Sequence, residues 1–184
     1  MTVLRTPNIE LLPEYAAALE TGWSPNNLRP EAAAEQLGQI ADDPVGFVAR
    51  QTDVEAKGGP VLLPDGSSVP RLPSIRRWIF KDGFAGSIGL RWQPGTADLP
   101  PTCLGHIGYA VVPWRRREGL ASAALIELLP EARALGLGYV EITTDHDNAP
   151  SIGVIEKAGG VLVGTFEAET AVGGGEHLLF RIDL

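Results

Sequence analysis

Residues 104–160 read LGHIGYAVVPWRRREGLASAALIELLPEARALGLGYVEITTDHDNAPSIGVIEKAGG. Within this stretch Arg116-Arg117-Glu118-Gly119-Leu120-Ala121 lies between an apolar strand and a helix. A strand, a turn with glycine and a helix start together make an anion site. The first-turn N–H groups have no partner inside the helix, so they point at whatever binds there. The helix dipole adds partial positive charge at the same place. Gly119 permits unusual dihedrals and a close backbone approach. Arg115, Arg116 and Arg117 add positive charge and forked donors suited to phosphate. These features alone predict a bound diphosphate or similar anion. The spacing is not that of a P-loop, since no Gly-Lys-Ser/Thr follows, nor of a dinucleotide-binding G-x-G-x-x-G.

Outward from that turn, the chain alternates strands and helices. Short strands are expected at 2–6, 78–80, 84–92 and 104–112, and a helix at 119–135 closed by Gly136 and Gly138. Pro130 predicts a kink or break in that helix, because it removes the bond to Ile126. A strand at 139–144, a short helix at 149–158 and strands at 161–166 and 178–182 follow. Before the turn, helices are expected at 11–21 and 29–42, the second opened by Pro30 and ended by Asp42-Asp43-Pro44. Residues 47–52 are ambiguous. Residues 58–74 are loop-like, with Pro64-Asp65-Gly66-Ser67 as a turn between Val61-Leu62-Leu63 and Val69. This order predicts an α/β fold with a mixed sheet and helices on its faces. No linker or repeat interrupts it.

Composition bounds the function. A chain of 184 residues, 44% apolar and 21% charged, suits one soluble domain with a full core. A net charge of −8 argues against nucleic acid as the main partner and mildly favours a cationic or neutral substrate. Cys103 is the single cysteine, so no internal disulfide forms and a reducing, cytoplasmic setting fits. No apolar run approaches the ~18–20 residues that span a bilayer, and the first residues lack a signal-peptide pattern.

The turn resembles the pyrophosphate-binding motif of the GNAT superfamily of N-acetyltransferases, Gln/Arg-x-x-Gly-x-Gly/Ala, with Arg116, Gly119 and Ala121 in its three defined places. Ala110-Val111-Val112-Pro113 is similar to the end of the family's fourth strand. Asn148, Ser151 and Glu156-Lys157-Ala158-Gly159-Gly160 resemble its later Asn…Ser…Glu-Lys-x-Gly segment. Two motifs at this separation, over about 60 residues, make the resemblance specific. The N-terminal flank further resembles a bacterial subfamily of predicted acetyltransferases, which says nothing of substrate.

The resemblance implies a mostly antiparallel sheet of about seven strands, with two parallel central strands splayed into a V. One GNAT-like domain would cover residues 1–184, with 1–100 as the acceptor-side half and 104–160 as the acetyl-CoA-binding core. Acetyl-CoA would lie in the V. Backbone groups of Val111 and Val112 would bond its pantetheine arm, as in strand addition. Amides of Arg117, Glu118, Gly119, Leu120, Ala121 and Ser122, with Arg116 of the motif, would hold the pyrophosphate. Asn148 and Ser151 would face the arm from the other side.

Acetyl transfer to an amine needs a base, a polarised carbonyl, alignment and a stabilised leaving thiolate. His106 is the first candidate base, because imidazole titrates near neutrality; the alternative is a structural histidine bonded inside the sheet. Glu141 is second, against the alternative of an outward, solvated carboxylate. Tyr109 is a candidate acid or positioning hydroxyl, against a packing role with one wet end. Many relatives carry a tyrosine acid where this chain has Ile155, so water, the Ser151 hydroxyl or Tyr109 must take its place, or the acid is dispensable. Cys103 has no matched partner and reads as a small apolar residue. Asp145-His146-Asp147 invites a metal, but too few ligands cluster, and a polar loop capping the next helix is preferred. Trp23, Trp78, Trp92 and Trp114 could line an acceptor pocket but read mostly as core or edge packing, with Trp114 placed to shield the turn. The expected activity is acetyl transfer to a small primary amine. A protein N-terminus or lysine as acceptor, or a non-catalytic acyl-CoA-binding module, are the alternatives, and a homodimer is left open.

Overall fold

The computed structural model describes residues 3–63 and 65–184. Met1 and Thr2, where the first expected strand begins, and Pro64, in the expected 64–67 turn, lie outside the described residues.

The elements run in the order β1 (Leu4–Arg5), α1 (Leu12–Glu20), α2 (Ala32–Asp42), α3 (Pro44–Ala49), β2 (Thr52–Asp53), β3 (Val61–Leu62), β4 (Ser68–Val69), β5 (Ser74–Phe80), β6 (Phe84–Arg91) and β7 (Ile107–Val111). After a 3-10 turn at Pro113–Arg115 come α4 (Leu120–Ala134), β8 (Tyr139–Thr144), α5 (Ala149–Lys157), β9 (Val161–Glu167), a second 3-10 turn and β10 (Glu176–Asp183). β1, β2, β5, β6 and β7 form one antiparallel sheet, and β8, β10 and β9 a second. β3 and β4 form a separate hairpin across the expected turn. The fold is thus the mixed, mostly antiparallel α/β architecture expected, with its sheet divided between β7 and β8.

Strand alternation distributes the core over both faces of the first sheet. Ile75, Ile79, Ile88, Leu90 and Ile107 pack against Leu120, Ala124, Leu125, Leu128 and Ala132 of α4, and Ile155 of α5 joins them. Trp78, Phe84, Ala110 and Val112 face the other way, against Leu12, Tyr15, Leu19 and Phe47 of α1 and α3. Tyr15 stacks on Trp78 at 4.7 Å and meets Phe84 and Trp23 edge-on. Such pairs contribute about 0.5–1.5 kcal/mol each beyond their burial. They fix α1, and with it the loop after α1, over the end of β7.

Two local expectations differ. α4 runs unbroken through Pro130; both Pro130 and Ile126 are exposed, so the carbonyl that loses its donor lies on the solvent side. Of the ambiguous residues 47–52, Phe47–Ala49 complete α3 and Thr52 opens β2; α3 is capped by the Asp43 carboxylate accepting from Gly46 N–H at 2.8 Å, with Pro44 in the first turn. Asp43-Pro44 therefore ends one helix and starts another.

Candidate active site

The divide between the sheets begins at His106. Its N–H donates to the Glu141 carbonyl at 2.8 Å, and its ring Nδ1 accepts from the Glu141 N–H at 3.0 Å. The ring thus completes a two-bond bridge between the strand regions, and no ladder pairs β7 with β8 beyond it. Gly105 makes this approach possible: its φ is +155°, and a Cβ there would sit 2.9 Å from the Glu141 carbonyl oxygen.

Ladder phase decides which β7 groups face the gap. Arg91 N–H donates to the His106 carbonyl and Val112 N–H to the Ala85 carbonyl, each at 2.9 Å. Even-numbered residues of this strand are therefore bonded to β6, and the N–H and C=O of Tyr109 and Val111 point away from it. The Tyr109 carbonyl takes the Asn27 side-chain amide at 3.1 Å, and the Val111 carbonyl has Arg116 Nε at 3.4 Å. Val112 is fully committed, because its carbonyl also accepts from Arg115 N–H at 3.0 Å. Of the two residues expected to offer backbone groups to a pantetheine arm, Val111 faces the gap and Val112 does not. Tyr109 is the second edge residue.

At the far end of β7 the chain turns through Arg117 (φ +67°) and Gly119 (φ +75°) into α4. Among the described residues, no protein acceptor takes the amides of Arg117, Glu118, Gly119, Leu120, Ala121 or Ser122. Leu120 is buried in the core, so only its amide is available here. The Glu118 carboxylate turns away, bonded to Arg115 Nε at 2.7 Å and Nη2 at 3.0 Å. Those bonds hold its carboxyl below the usual carboxylate range. Arg115 also donates to the Lys81 carbonyl at 2.8 Å. Arg115 is therefore a strut rather than a phosphate ligand, while Arg116 and Arg117 are exposed beside the free amides.

Across the gap, Asn148 caps α5 by accepting from Ser151 N–H at 3.2 Å. Ser151 Oγ lies 2.7 Å from the Tyr109 hydroxyl. Burial raises the Tyr109 phenol above its ordinary pKa, opposed by the Ser151 bond, so it stays protonated at neutral pH. Tyr109 and Ser151, separate candidates in the sequence, are one hydroxyl pair. Ile155 is fully buried in the core.

The candidate bases are held elsewhere. His106 is 0% exposed, and its Nε2 has no hydrogen-bond partner among the described residues. Burial lowers its pKa, with the Arg91 charge adding to the effect and the Glu141 carboxylate opposing it. The Glu141 carboxylate accepts from its cross-strand neighbour Arg181 at 2.7 Å, and that guanidinium lies 3.9 Å over the Tyr139 ring. Cys103 Sγ is 3.4 Å from the Gly105 carbonyl and joins no titratable group. Asp145 and His146 pair with His177 and Glu176, and no three metal-type side chains converge among the described residues. Trp23, Trp78 and Trp92 are buried, whereas Trp114 is exposed beside the turn.

The His106 bridge has a pH signature. A protonated ring cannot accept the Glu141 N–H, and burial disfavours the charge. The folded pKa is therefore below the unfolded value of about 6.5. Between the two the unfolded chain binds more protons, so stability falls as pH drops below about 6.5 and levels off beneath the folded pKa. Urea unfolding at pH 7.5 and 5.5 is expected to show this loss, and to show less of it in His106→Ala. That variant should also lose about 2–4 kcal/mol at pH 7.5, from an unsatisfied amide and a cavity. An equal pH dependence in both proteins would exclude the bridge as its source.

A protein-family model described as "Acetyltransferase (GNAT) domain" matches residues 3–161. The chain belongs to this family. It is an N-acetyltransferase that uses acetyl-CoA. Among solved structures it is similar to the microcin C7 self-immunity acetyltransferase MccE in complex with acetyl-CoA and AMP. Identity there is 14% and the TM-score 0.64, over 98% of this chain and 91% of that one. It is also similar to Mycobacterium smegmatis RimJ in complex with CoA-disulfide, at 18% identity and TM-score 0.60, over 98% and 80%. Aminoglycoside acetyltransferase AAC(6')-Ib in complex with coenzyme A and kanamycin gives 14% identity and TM-score 0.57, over 98% and 94%. No curated protein matches significantly. No helix among the described residues is long and apolar enough to cross a membrane.

Proposed function

We propose that the chain acetylates the primary amine of a small molecule by direct attack within a ternary complex. The observation that carries this reading is the Tyr109–Ser151 hydroxyl pair, 2.7 Å apart, beside the β7 edge that no strand covers. Bound acetyl-CoA supplies the acetyl group as an activated thioester. The edge groups of Val111 and the Tyr109 N–H align the arm by strand-like bonds, the Arg116 contact giving way, while the Tyr109 carbonyl keeps its bond from Asn27. Amides of residues 117–122, with Arg116 and Arg117, hold the pyrophosphate, and Asn148 orders the start of α5 beside the arm. Ser151, backed by Tyr109, delivers a proton to the leaving sulfur. His106 serves as a positioning residue that sets the mouth of the V, and Glu141 holds it through its backbone. The amine proton leaves to solvent water on the acceptor side.

A small acceptor is favoured because the loop after α1 is tied down. Asn27 reaches the Tyr109 carbonyl, and Ser24 Oγ bonds the Arg29 carbonyl at 2.9 Å. The loop closes over the edge instead of leaving an open peptide groove. The single cysteine fits a cytoplasmic setting. The test is thiol release from acetyl-CoA against a panel of small amines and a panel of peptide N-termini and lysyl peptides. Turnover confined to small amines is expected. Turnover confined to peptides would transfer the activity to protein acceptors, and none with either would leave a donor-binding module.

A further inference from the structure

On the face of the first sheet turned towards α1 and α2, one rung runs Arg76, Gly89, Gly108 across β5, β6 and β7. The next carries Ser74 and Arg91, with His106 opposite. The rung on the other side holds Trp78, Ser87 and Ala110, all buried. The two glycines contribute no side chains of their own to a trench between Arg76 and Arg91. Arg91 lies across it: its Nη2 is 3.1 Å from where a Cβ on Gly108 would stand. Gly108 and Arg91 are exposed, and Gly108 directly precedes Tyr109, whose side chain stands on the other face of β7.

Neither arginine side chain has a hydrogen bond or a carboxylate within 4.0 Å among the described residues, although the chain carries 23 acidic side chains. As diagonal cross-strand neighbours they stand about 7–8 Å apart, their Cβ atoms somewhat closer, within reach of one bridging anion. The nearby acidic groups are otherwise engaged, Glu141 with Arg181 and Asp98 with the Tyr139 hydroxyl at 2.8 Å. Tyr15, beside Arg76, is held neutral, its pKa pushed by burial up to about 12 with Arg76 opposing. Two like charges facing one bare trench, with no counter-charge, are unfavourable until an anion arrives.

We infer that Arg76 and Arg91 bind an anionic group, carboxylate or phosphate, on the acceptor, so that the favoured substrate is an amine carrying negative charge a few bonds from its nitrogen. This rests on the acetyl-transfer reading and reverses, at this face, the preference that net charge suggests. Gly89 and Gly108 give the group room to reach both guanidinia, and the amine then lies over the β7 edge.

The test is calorimetric titration of n-propylamine, β-alanine and 3-aminopropylphosphonate into the protein saturated with CoA, which fills the pyrophosphate turn. At least one of the two anionic amines is expected to bind at least tenfold more tightly than propylamine. Arg91→Gln and Arg76→Gln should each remove that preference, Arg91→Lys should keep part of it, and affinity for CoA should be unchanged throughout. A preference for β-alanine alone assigns a carboxylate, and for the phosphonate alone a phosphate. Equal binding of all three amines, or a preference that survives both glutamine variants, would overturn the assignment. Because the preference is read without turnover, it stands apart from the donor site, whose failure would show as loss of CoA binding.

Discussion

Gly119→Glu is expected to weaken acetyl-CoA binding at least 100-fold, about 2.7 kcal/mol, while leaving a folded protein. Two effects combine. Gly119 sits at φ +75°, where an L residue costs about 1–2 kcal/mol. Nothing lies within 4 Å of a Cβ built there, so the fold accommodates the side chain. The new carboxylate then stands beside six amides that no acceptor among the described residues takes and competes for them as an internal anion. Gly119→Ala separates the terms: it carries the backbone strain without the charge and should lose no more than about tenfold in affinity. Thermal unfolding gives the parallel readout. A concentration of acetyl-CoA that saturates the wild type should raise its melting temperature by mass action and raise that of Gly119→Glu far less. Wild-type affinity in the glutamate variant would exclude this turn as the pyrophosphate site.

The glycine turn into α4 was legible because it is local. Arg116, Gly119 and Ala121 lie within six residues, and both the left-handed glycine and the free first-turn amides follow from that order. The apolar strands on either side of it were legible from their composition, and the turn between β3 and β4 from its turn residues, Asp65-Gly66-Ser67 among them. What escaped depends on distance or phase. The Arg115–Glu118 bridge was readable as an i,i+3 pair, but the three consecutive arginines suggested a shared role. Whether Val111 or Val112 faces the gap is decided by the register of β6 against β7, which no single strand carries. His106 looks like a base by residue type; its Nδ1 bond to a backbone amide 35 residues away makes it a bridge. The trench between Arg76 and Arg91 needs three strands in register before its two glycines mean anything.

Ser151→Ala is expected to lower kcat about 100-fold, with little change in affinity for acetyl-CoA. In the proposed reaction the Ser151 hydroxyl takes the place of the tyrosine acid that Ile155 cannot be, and the Tyr109 hydroxyl, 2.7 Å from it, supplies or replaces the proton. The substitution keeps the backbone N–H that donates to the Asn148 side chain, so α5 should retain its cap. Tyr109→Phe should cost less, about tenfold, because serine can recover its proton from water. If the two hydroxyls act as one relay, the double variant should be no slower than Ser151→Ala, a non-additivity that separate roles would not give. The pH profile carries a second signature. With the phenol raised by burial, the relay stays protonated past the ordinary tyrosine value of about 10, so kcat should show no alkaline loss below that pH. A double variant with undiminished kcat would hand the thiolate's proton to water; additive losses would leave Tyr109 positioning the acceptor independently of Ser151.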